Sequence, residues 1–372
     1  MSVLLKESPF GLVSSKELAK QIEAQKRAKH KLPSWFKSNQ ILYPNKLNIE
    51  QCSSEVTAAY KASLVSGTSL LDATGGFGVD SFFFSKKITK VVHCEINEEL
   101  SLIASHNFKV LGRTNIRILP KNGIQFLEHA KEHFDWIYLD PSRRNEHKGK
   151  VFQFSDCSPN VLDHLELLLL KSKFVLLKTS PLLDLSLGIE QLRFTTDIHI
   201  VAVNNEVKEL LWVLHKNEDH KLRIHTINLN QNKEDEVFDF KWGEEGHSRL
   251  KPGAPQNYLY EPNAALLKSG AFKLVTQRYP VLKLHEHTHL YTSNDLISFP
   301  GRIFKIDSTH VYSKKNMKAL RIGKANITTR NFPKTVAEIR KQFNIKDGGS
   351  RYIFMAKNHE NALIVLICSK VP

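Results

Sequence analysis

Cysteine is scarce in this chain. Its 372 residues include four cysteines, Cys52, Cys94, Cys157 and Cys368, and no two of them stand in a C-x-x-C pair. Disulfide-stabilised secreted domains are dense in cysteine, and zinc sites use closely spaced cysteines and histidines. The scattered spacing argues against both classes and favours buried thiols in a reducing compartment.

Long apolar runs are also missing. The leucine-rich stretch HLELLLL is far shorter than the roughly 18 apolar residues that a membrane-spanning helix needs, and it contains an acid. Residues 1–30 become highly charged after a brief apolar tract, so they lack the order of regions in a signal peptide. We therefore expect a cytoplasmic protein.

Acidic residues are outnumbered. The chain has 53 Lys and Arg against 38 Asp and Glu, a formal charge of +15. Such a balance favours an acidic polymer as partner and leaves RNA, DNA and an anionic membrane open. Near the N-terminus, lysines are interspersed with Trp35, Phe36 and Tyr43, a mixture that can stack on bases and pair with phosphates. The pattern favours the alternative, a basic helix whose aromatic side chains pack on the next domain.

Short apolar or β-branched runs alternate with amphipathic ones between residues 53 and 215. The candidate strands are SLLDAT (69–74), KVVHCE (90–95), NIRIL (115–119), DWIYLD (135–140), KFVLLK (173–178), IHIVAV (198–203) and ELLWVL (209–214). Helical patterns fit between the first six, which predicts a parallel sheet covered on both faces. No helix fits before the last strand, so we expect that strand to be antiparallel.

Changes in composition divide the chain into four predicted segments. These are an N-terminal helical basic region (1–52), a Rossmann-like domain (53–217), an α+β domain for which a ferredoxin-like fold is one option (218–318), and a smaller α+β domain (319–372). Ser14 or Ser15 is expected to cap the first helix, and Pro333 to begin the helix PKTVAEIRKQF. The predicted fold class is thus α/β: a Rossmann-like sheet with an antiparallel last strand, smaller C-terminal α+β domains and an N-terminal helical region.

The stretch DATGGFG lacks parts of two common nucleotide loops. A phosphate-binding loop needs a Gly-Lys pair that is missing here, and a dinucleotide fingerprint needs a third glycine where Ser81 stands. Instead, an acid at the end of the first strand, Asp72, is followed by Thr74, Gly76 and Gly78. Glycine lets the backbone approach a ligand closely, and the acid can accept a hydrogen bond from an ammonium or hydroxyl group. The pattern predicts a ligand loop, with a turn-holding role for Asp72 as the alternative.

Further polar residues end the next strands. Glu95 ends the second strand, 23 residues after Asp72, close to the interval at which Rossmann-type sheets present a carboxylate to ribose. Asn122 follows the third strand and could read an adenine edge with its amide. Asp140 ends the fourth strand and Lys178 the fifth. Because the carboxyl ends of parallel strands meet at one edge of the sheet, we expect these residues to line one crevice.

In this order the motifs resemble those of class I S-adenosylmethionine-dependent methyltransferases. DATGGFG resembles the first motif of that class, and DPSRR resembles the [DN]-P-P-[YFW] motif of amino-methylating members. Together with EQCSSEVTAAYKA, LLKTSPLLD and KANITTRNFPKTVAEIRKQFNIKDGGSRYIF, the pattern is similar to that of bacterial methyltransferases with a C-terminal THUMP-like domain. The similarity extends over nearly the whole chain from about residue 30, and it makes residues 53–217 the methyltransferase domain and residues 319–372 the THUMP-like domain.

The resemblance implies roles for individual residues. The residues implied to hold the cofactor S-adenosyl-L-methionine are Asp72, Thr74, Gly76, Gly78, Glu95 and Asn122. Those implied for catalysis are Asp140 and Pro141, whose carboxylate and carbonyl would accept the N–H bonds of an exocyclic amine. Those expected to contact the acceptor are Ser142, Arg143, Arg144 and Lys178, although ion pairs that fix the loop suit the two arginines equally well.

These observations favour a methyltransferase that modifies a base nitrogen of tRNA or rRNA, with RNA bound by the C-terminal domains. Ser142 and Arg143 replace the second proline and the stacking aromatic of the motif, so a protein or small-molecule acceptor is the alternative. A catalytically silent RNA-binding protein is a third reading, and the retained Asp72, Glu95 and Asp140 argue against it. An NAD dehydrogenase is the weakest, because the third glycine and any hydride-transfer motif are missing.

Two other features have simpler interpretations. His285, His287 and His289 in HEHTH would share one face of a strand and could bind zinc, but no cysteine or further acidic pattern accompanies them. We expect surface histidines and no metal. Asp80 is expected to cap the helix that follows the glycine loop, with contact to the cofactor as the alternative.

Overall fold

The chain forms two compact units. A computed structural model describes residues 13–143, 154–216, 221–231 and 233–371. The first unit comprises residues 1–198 and 209–220, and the second comprises residues 199–208 and 221–372. The predicted boundary at 217/218 and the predicted site residue Arg144 both lie outside the described residues.

Seven of the nine described helices of the first unit begin at a residue whose side chain caps the helix. They are α1 (Ser15–Lys31), α2 (Pro33–Lys37), α3 (Lys46–Gln51), α4 (Glu55–Leu64), α5 (Val79–Phe84), α6 (Glu98–Val110), α7 (Gly123–His129), α8 (Val161–Lys171) and α9 (Leu185–Gln191). Ser14 is the N-cap of α1: its Oγ accepts a hydrogen bond from the Glu17 amide, and its own amide donates to the Glu17 carboxylate. Pro33 follows α1 and takes the first position of α2, where no amide hydrogen is needed.

The aromatic residues near the N-terminus are packed inside. Trp35 is fully buried, and its ring centroid lies 4.8 Å from that of Phe77 and 5.7 Å from that of Phe82. Tyr43 is also buried. The structure therefore gives Trp35 and Tyr43 a packing role against the glycine loop and α5.

Nine described strands lie between residues 69 and 214, and they include those predicted for the Rossmann-like sheet. They are β1 (Ser69–Asp72), β2 (Lys90–Cys94), β3 (Ile116–Leu119), β4 (Phe134–Leu139), β5 (Ser142–Arg143), β6 (Cys157–Ser158), β7 (Ser172–Thr179), β8 (Thr195–Val203) and β9 (Glu206–Leu214). Five of them pair in parallel in the order β7-β4-β1-β2-β3. Strand β9 pairs antiparallel with β7, from Thr179 opposite Leu210 to Val175 opposite Leu214. The predicted Rossmann-like sheet with an antiparallel last strand is confirmed.

Burial on both faces explains why these strands read as nearly continuous apolar runs. Leu70 and Leu71 of β1 are both fully buried although they point to opposite faces, and the same is true of Leu176 and Leu177 of β7. The polar residues that follow such strands are therefore concentrated at the strand ends. This places the loops after β1, β2, β3, β4 and β7 at one edge of the sheet.

The second unit contains both helices and strands. Its helices and strands are α10 (Glu244–His247), α11 (Ala264–Ser269), α12 (Val275–Arg278), α13 (Lys314–Ala319), α14 (Val336–Phe343), β10 (Arg223–Leu229), β11 (Glu236–Lys241), β12 (Tyr258–Pro262), β13 (Leu282–His285), β14 (Thr288–Ser293), β15 (Gly301–Val311), β16 (Lys324–Arg330), β17 (Lys346–Lys357) and β18 (Leu363–Lys370). Strands β10 and β11 form an antiparallel pair. The others form a seven-stranded sheet in the order β13-β14-β12-β15-β18-β17-β16.

The helix predicted to begin at Pro333 begins three residues later, at Val336. Thr335 is its N-cap: the Glu338 amide donates to Thr335 Oγ1, and the Thr335 amide donates to the Glu338 carboxylate. This capping box provides acceptors for backbone amides of the first turn, which the side chain of Pro333 cannot do. The capping box therefore decides where α14 starts. Ile339 of α14 and Met317 of α13 then pack on one face of the sheet.

The structure gives the burial of the four cysteines and the length and hydropathy of the described helices. Cys94, Cys157 and Cys368 are buried and Cys52 is half-buried. Within the described parts of the chain, no helix is both long enough and apolar enough to cross a membrane.

Candidate active site

A cavity of about 950 Å³ opens at the carboxyl ends of the parallel strands in the first unit. The predicted site residues that line it are Thr74, Gly76, Gly78, Glu95, Asn122, Asp140, Ser142 and Lys178. Asp72 and Pro141 are not among the lining residues. For Arg143 the structure describes the backbone, as part of β5, and not the side chain. The sheet thus brings together loops that are up to a hundred residues apart in the sequence.

The glycine loop after β1 leaves room for a ligand at its tip. Gly76 has φ +56°, and a Cβ placed on it would meet nothing nearer than the Thr74 carbonyl oxygen at 3.9 Å. Gly78 has φ +88°, and its Cβ would fall 2.5 Å from the ring of Phe108. A side chain is therefore disfavoured at Gly78 by packing and by backbone conformation. At Gly76 only the left-handed conformation opposes it, and the space in front of the backbone is open.

Glu95 joins the ends of β1 and β2. One carboxylate oxygen accepts a hydrogen bond from the Gly76 amide at 2.8 Å, and the other accepts one from the Asn97 amide at 2.7 Å. Asn122 is the N-cap of α7, where its side-chain oxygen accepts from the Ile124 amide at 2.9 Å. That oxygen is thus occupied, so the amide nitrogen is the part of Asn122 that remains for an adenine edge.

Asp72 lies beneath the loop. It is 1% exposed, and its carboxylate accepts hydrogen bonds from Ser81 Oγ at 2.6 Å and from the Thr74 amide at 3.2 Å. Ser81 Oγ also lies 2.9 Å from His93 Nδ1. Burial raises the pKa of Asp72 to about 7, and the hydrogen bond from Ser81 opposes that rise. These contacts are those of a residue that holds the turn, which is the alternative role considered from the sequence.

We expect Asp72→Asn to gain stability relative to the wild type as the pH rises from 4 to 7. The pKa of Asp72 is about 7 in the folded protein and about 3.8 when exposed, so the wild type loses stability across this window as the unfolded chain releases a proton that the folded chain keeps. The asparagine variant does not titrate, and the difference in unfolding free energy should change by up to about 1.4 kcal/mol per pH unit. Urea unfolding of both proteins at several pH values measures it. A difference that stays constant over the window would contradict the raised pKa.

Asp140 is held at the mouth of the cavity by two contacts. Its amide donates a hydrogen bond to Thr74 Oγ1 at 2.7 Å, which ties the loop after β4 to the loop after β1. Its carboxylate is paired with Lys178 Nζ at 2.5 Å. Burial lowers the pKa of Lys178, but the charge and hydrogen bond of Asp140 together with the charge of Glu209 outweigh burial, so the pKa of Lys178 is raised and the ammonium stays charged. Asp140 thus presents a carboxylate whose position is fixed from both sides.

A buried ionic cluster lies close enough to the Asp140–Lys178 pair to act on the charge of Lys178, and none of the sequence motifs predicted it. Lys61 of α4 is fully buried, and its Nζ lies 3.0 Å from Asp80, 3.1 Å from Glu209 and 2.6 Å from Ser53 Oγ. Burial alone would lower the pKa of Lys61, but the Asp80 and Glu209 carboxylates raise it. Burial raises the pKa of Glu209, and Lys61 opposes that rise. The sequence held one signal for this cluster: Ser53 and Lys61 both lie within EQCSSEVTAAYKA, one of the stretches that carries the family resemblance.

The expected capping role of Asp80 is wrong. The N-cap of α5 is Gly78, which has a left-handed backbone conformation and no side chain to accept a capping hydrogen bond. Asp80 lies inside the first turn of the helix. Its carboxylate accepts hydrogen bonds from Ser53 Oγ at 2.7 Å and Tyr138 OH at 3.0 Å, besides the ion pair with Lys61. The buried Lys61 attracts this carboxylate away from the helix terminus.

The three histidines of HEHTH have different surroundings. His285 Nε2 lies 3.1 Å from Asn361 Oδ1, and the ring of His289 stacks on Phe272 with centroids 3.5 Å apart. Across the described segments, no group of three or more His, Cys, Asp and Glu residues is arranged to hold a metal ion.

Comparison with known proteins places the two C-terminal domains and the whole chain. Family models match residues 258–300 as a ferredoxin-like domain and residues 301–370 as THUMP domain-like. No curated protein matches the sequence. A crystal structure from Porphyromonas gingivalis W83, described as a candidate methyltransferase, is 33% identical, with a TM-score of 0.92 over 100% of this chain and 94% of that one.

Other solved structures are similar to half of this chain or less. TrmK from M. capricolum, solved with S-adenosyl-homocysteine, is 15% identical over 49% of this chain and 72% of that one, with a TM-score of 0.34. A candidate methyltransferase from Streptococcus mutans, solved with the same molecule, is 14% identical over 44% of this chain and 97% of that one, with a TM-score of 0.33. At these values neither likeness bears on what this chain modifies.

Proposed function

Because this chain belongs to the class I S-adenosylmethionine-dependent methyltransferases that carry a C-terminal THUMP-like domain, we propose that it methylates a base nitrogen of tRNA or rRNA. The observation that carries the proposal is the Asp140–Lys178 pair at the mouth of the cavity that the cofactor loops line.

The cavity suits the cofactor of the family, S-adenosyl-L-methionine, which supplies a methyl group on a sulfonium. Glu95 lies where its carboxylate can accept hydrogen bonds from ribose hydroxyls, and the Asn122 amide nitrogen can donate to the adenine ring. The open face of Gly76 lets the backbone approach the ligand. Asp72 acts from below by holding the turn, together with Ser81.

Asp140 and Pro141 would act on the acceptor. An exocyclic amine has its lone pair delocalised into the ring, and two N–H bonds donated to the Asp140 carboxylate and the Pro141 carbonyl favour the pyramidal nitrogen that attacks. The carboxylate also stabilises the positive charge that develops on that nitrogen. Lys178 keeps this carboxylate in place, and Thr74 fixes the backbone of Asp140.

The charge distribution supports RNA as the acceptor. Residues 301–370, which match the THUMP domain-like model, contain 15 Lys and Arg against four Asp and Glu, so they carry +11 of the chain's +15. A domain of this composition attracts a polyanion by sequence-independent electrostatics. Arg143 in place of a stacking aromatic means that a flipped base would stack on another side chain, and it keeps a protein or small-molecule acceptor as the second candidate.

The test is transfer of a labelled methyl group from S-adenosyl-L-methionine to RNA from a strain that lacks this gene. The RNA is digested to nucleosides, and Asp140→Ala serves as the inactive control. A labelled nucleoside that appears with the wild type and disappears with the variant supports the proposal and names the base. RNA that stays unlabelled while calorimetry shows cofactor binding would overturn RNA as the acceptor and direct the search to proteins and metabolites.

A further inference from the structure

The second unit contains a cleft that none of the motifs or family models explains. It has a volume of about 960 Å³ and lies between the end of β11 and helices α10 and α12. Its lining combines an apolar floor, Leu222 and Leu274, with one aromatic residue, Trp242, and several cations. The lining residues between 221 and 249 precede the segment that matches the ferredoxin-like model, whereas Leu274, Gln277 and Arg278 belong to it.

The walls of the cleft are held by hydrogen bonds that need no ligand. The Glu245 carboxylate accepts from the amides of Lys273 and Leu274, both at 2.9 Å, which fixes α10 against the start of α12. Gln277 Nε2 donates to the Arg249 carbonyl oxygen at 2.8 Å, and the Trp242 amide donates to the Leu222 carbonyl oxygen at 2.8 Å. The cleft is therefore preformed, which lowers the entropic cost of binding.

Trp242 is the exposed tryptophan of this chain. Its side chain is 43% exposed, whereas Trp35, Trp136 and Trp212 are all 5% exposed or less. A ring of this size left in water offers a flat face on which a nucleobase can stack. The other three tryptophans are buried and contribute to packing, whereas Trp242 is exposed.

Several cations line the same cleft as Trp242, with little acidic compensation. Lys221, Lys241 and Arg249 line the cleft and are exposed. The fourth cation, Arg278, is paired with Glu244 at 3.0 Å, and Glu244 is the acidic residue among the described residues that line the cleft. An aromatic face beside three cations is complementary to a base and its flanking phosphates.

We propose that this cleft binds a single-stranded segment of the RNA substrate, with one base stacked on Trp242 and the neighbouring phosphates contacted by Lys221, Lys241 and Arg249. This inference rests on the proposed function, because it takes RNA as the acceptor. A base can present its face to a side chain when it is unpaired, so the segment is a loop, bulge or end rather than a duplex. The cleft combines one aromatic ring with three cations. This combination suits a strand, which has a phosphate on each side of the base, better than it suits a free mononucleotide.

The first test follows Trp242 directly. Titration of the full-length protein with a short single-stranded oligouridine should quench the tryptophan fluorescence, because the exposed ring is the one that stacks. Trp242→Ala should weaken binding of a fluorescein-labelled oligomer, measured by anisotropy, by about tenfold, since stacking on one aromatic contributes roughly 1–3 kcal/mol. Trp242→Phe keeps an aromatic face and should stay within about threefold of the wild type. As Trp242 is exposed, circular dichroism should show both variants folded.

The second test separates the cleft from general positive charge. Lys221, Lys241 and Arg249 are changed together to glutamine, and the matched control changes Lys90, Lys109 and Lys131, three exposed lysines of the first unit, in the same way. For a single strand each lost phosphate contact lowers the salt slope by about 0.7, so the cleft variant should lose about 2 and the control should lose none. Equal losses in the two variants would overturn the cleft as a specific site.

The remaining outcomes distinguish the sources of the ligand and the two proposals. Adenosine or uridine monophosphate that quenches as strongly and binds as tightly as the oligomer would overturn the RNA strand in favour of a mononucleotide. Binding by Trp242→Ala equal to that of the wild type would overturn the stacking role. If the cleft is right, its variants raise the KM for RNA and leave kcat and the cofactor Kd unchanged. Failure of the proposed function has another signature, an absence of labelled methyl in RNA with the wild-type protein.

Discussion

Asp140→Asn should lower kcat for methyl transfer by at least about 100-fold and leave the Kd of S-adenosyl-L-methionine within a fewfold of the wild type. The substitution keeps the size of the side chain and leaves the backbone bond from the Asp140 amide to Thr74 Oγ1 in place. It removes the negative charge that we propose to face the reacting nitrogen, and loss of one such preorganised group typically costs a factor of 100 to 1,000. Transfer of labelled methyl measures kcat, and calorimetry measures cofactor binding.

Glu98→Gln is the matched control for this variant. Glu98 is an exposed acid in the first turn of α6, outside the residues that line the cavity. Its neutralisation removes one carboxylate from the same unit and should leave kcat and the cofactor Kd unchanged. A kcat of Asp140→Asn within tenfold of the wild type would contradict the catalytic role of Asp140. Loss of cofactor binding in that variant would instead make Asp140 part of the cofactor site.

Lys61→Met should reduce the free energy of unfolding by about 3–5 kcal/mol near neutral pH. Lys61 is fully buried between Asp80 and Glu209, and its removal leaves two carboxylates without their cation in a low-dielectric interior. Burial already raises the pKa of Glu209, so the variant should bind a proton at higher pH than the unfolded chain does. Its deficit should therefore shrink as the pH falls toward 5, because protonation removes the unpaired charge, and should grow as the pH rises.

Lys173→Met provides the comparison for Lys61→Met. Lys173 also forms an ion pair with an aspartate, Asp135, at 2.7 Å, but its side chain is 71% exposed. Exposed pairs typically contribute about 0–1 kcal/mol, so the surface variant should lose less than about 1 kcal/mol. Urea unfolding of both variants at several pH values provides the measurement. Equal losses, or a deficit of Lys61→Met that does not change with pH, would show that the buried cluster is not an ionic one.

The buried cluster also bears on catalysis, because Ser53, Asp80, Asp140 and Lys178 all line the same cavity. The two lysines Lys61 and Lys178 are accompanied by three carboxylates, those of Asp80, Glu209 and Asp140. This arrangement sets three carboxylates against two ammonium groups beside the cavity in which we propose that the acceptor binds. Such an excess of negative charge suits a reaction in which positive charge passes from a sulfonium to the acceptor nitrogen.

The sequence by itself determined the sheet and the order of the residues around it. Apolar strands such as SLLDAT and DWIYLD are short, local patterns, and their alternation with helices admits few arrangements other than a parallel sheet covered on both faces. Once the sheet is parallel, the residues at its strand ends must meet at one edge. Glu95, Asn122, Asp140 and Lys178 could therefore be placed in one cavity before any coordinates were known.

Tertiary structure alone decided which of these residues face the cavity and what lies behind them. Asp72 and Glu95 end neighbouring strands, yet Asp72 is buried beneath the loop and Glu95 lines the cavity, because the pairing with Ser81 and Thr74 turns the Asp72 carboxylate inward. Lys61 and Glu209 are 148 positions apart, and no local pattern connects them. Contacts at that separation depend on how α4 packs against the sheet that contains β9. Local periodicity carries no information about that packing, so the buried charges and the Trp242 cleft became visible in three dimensions only.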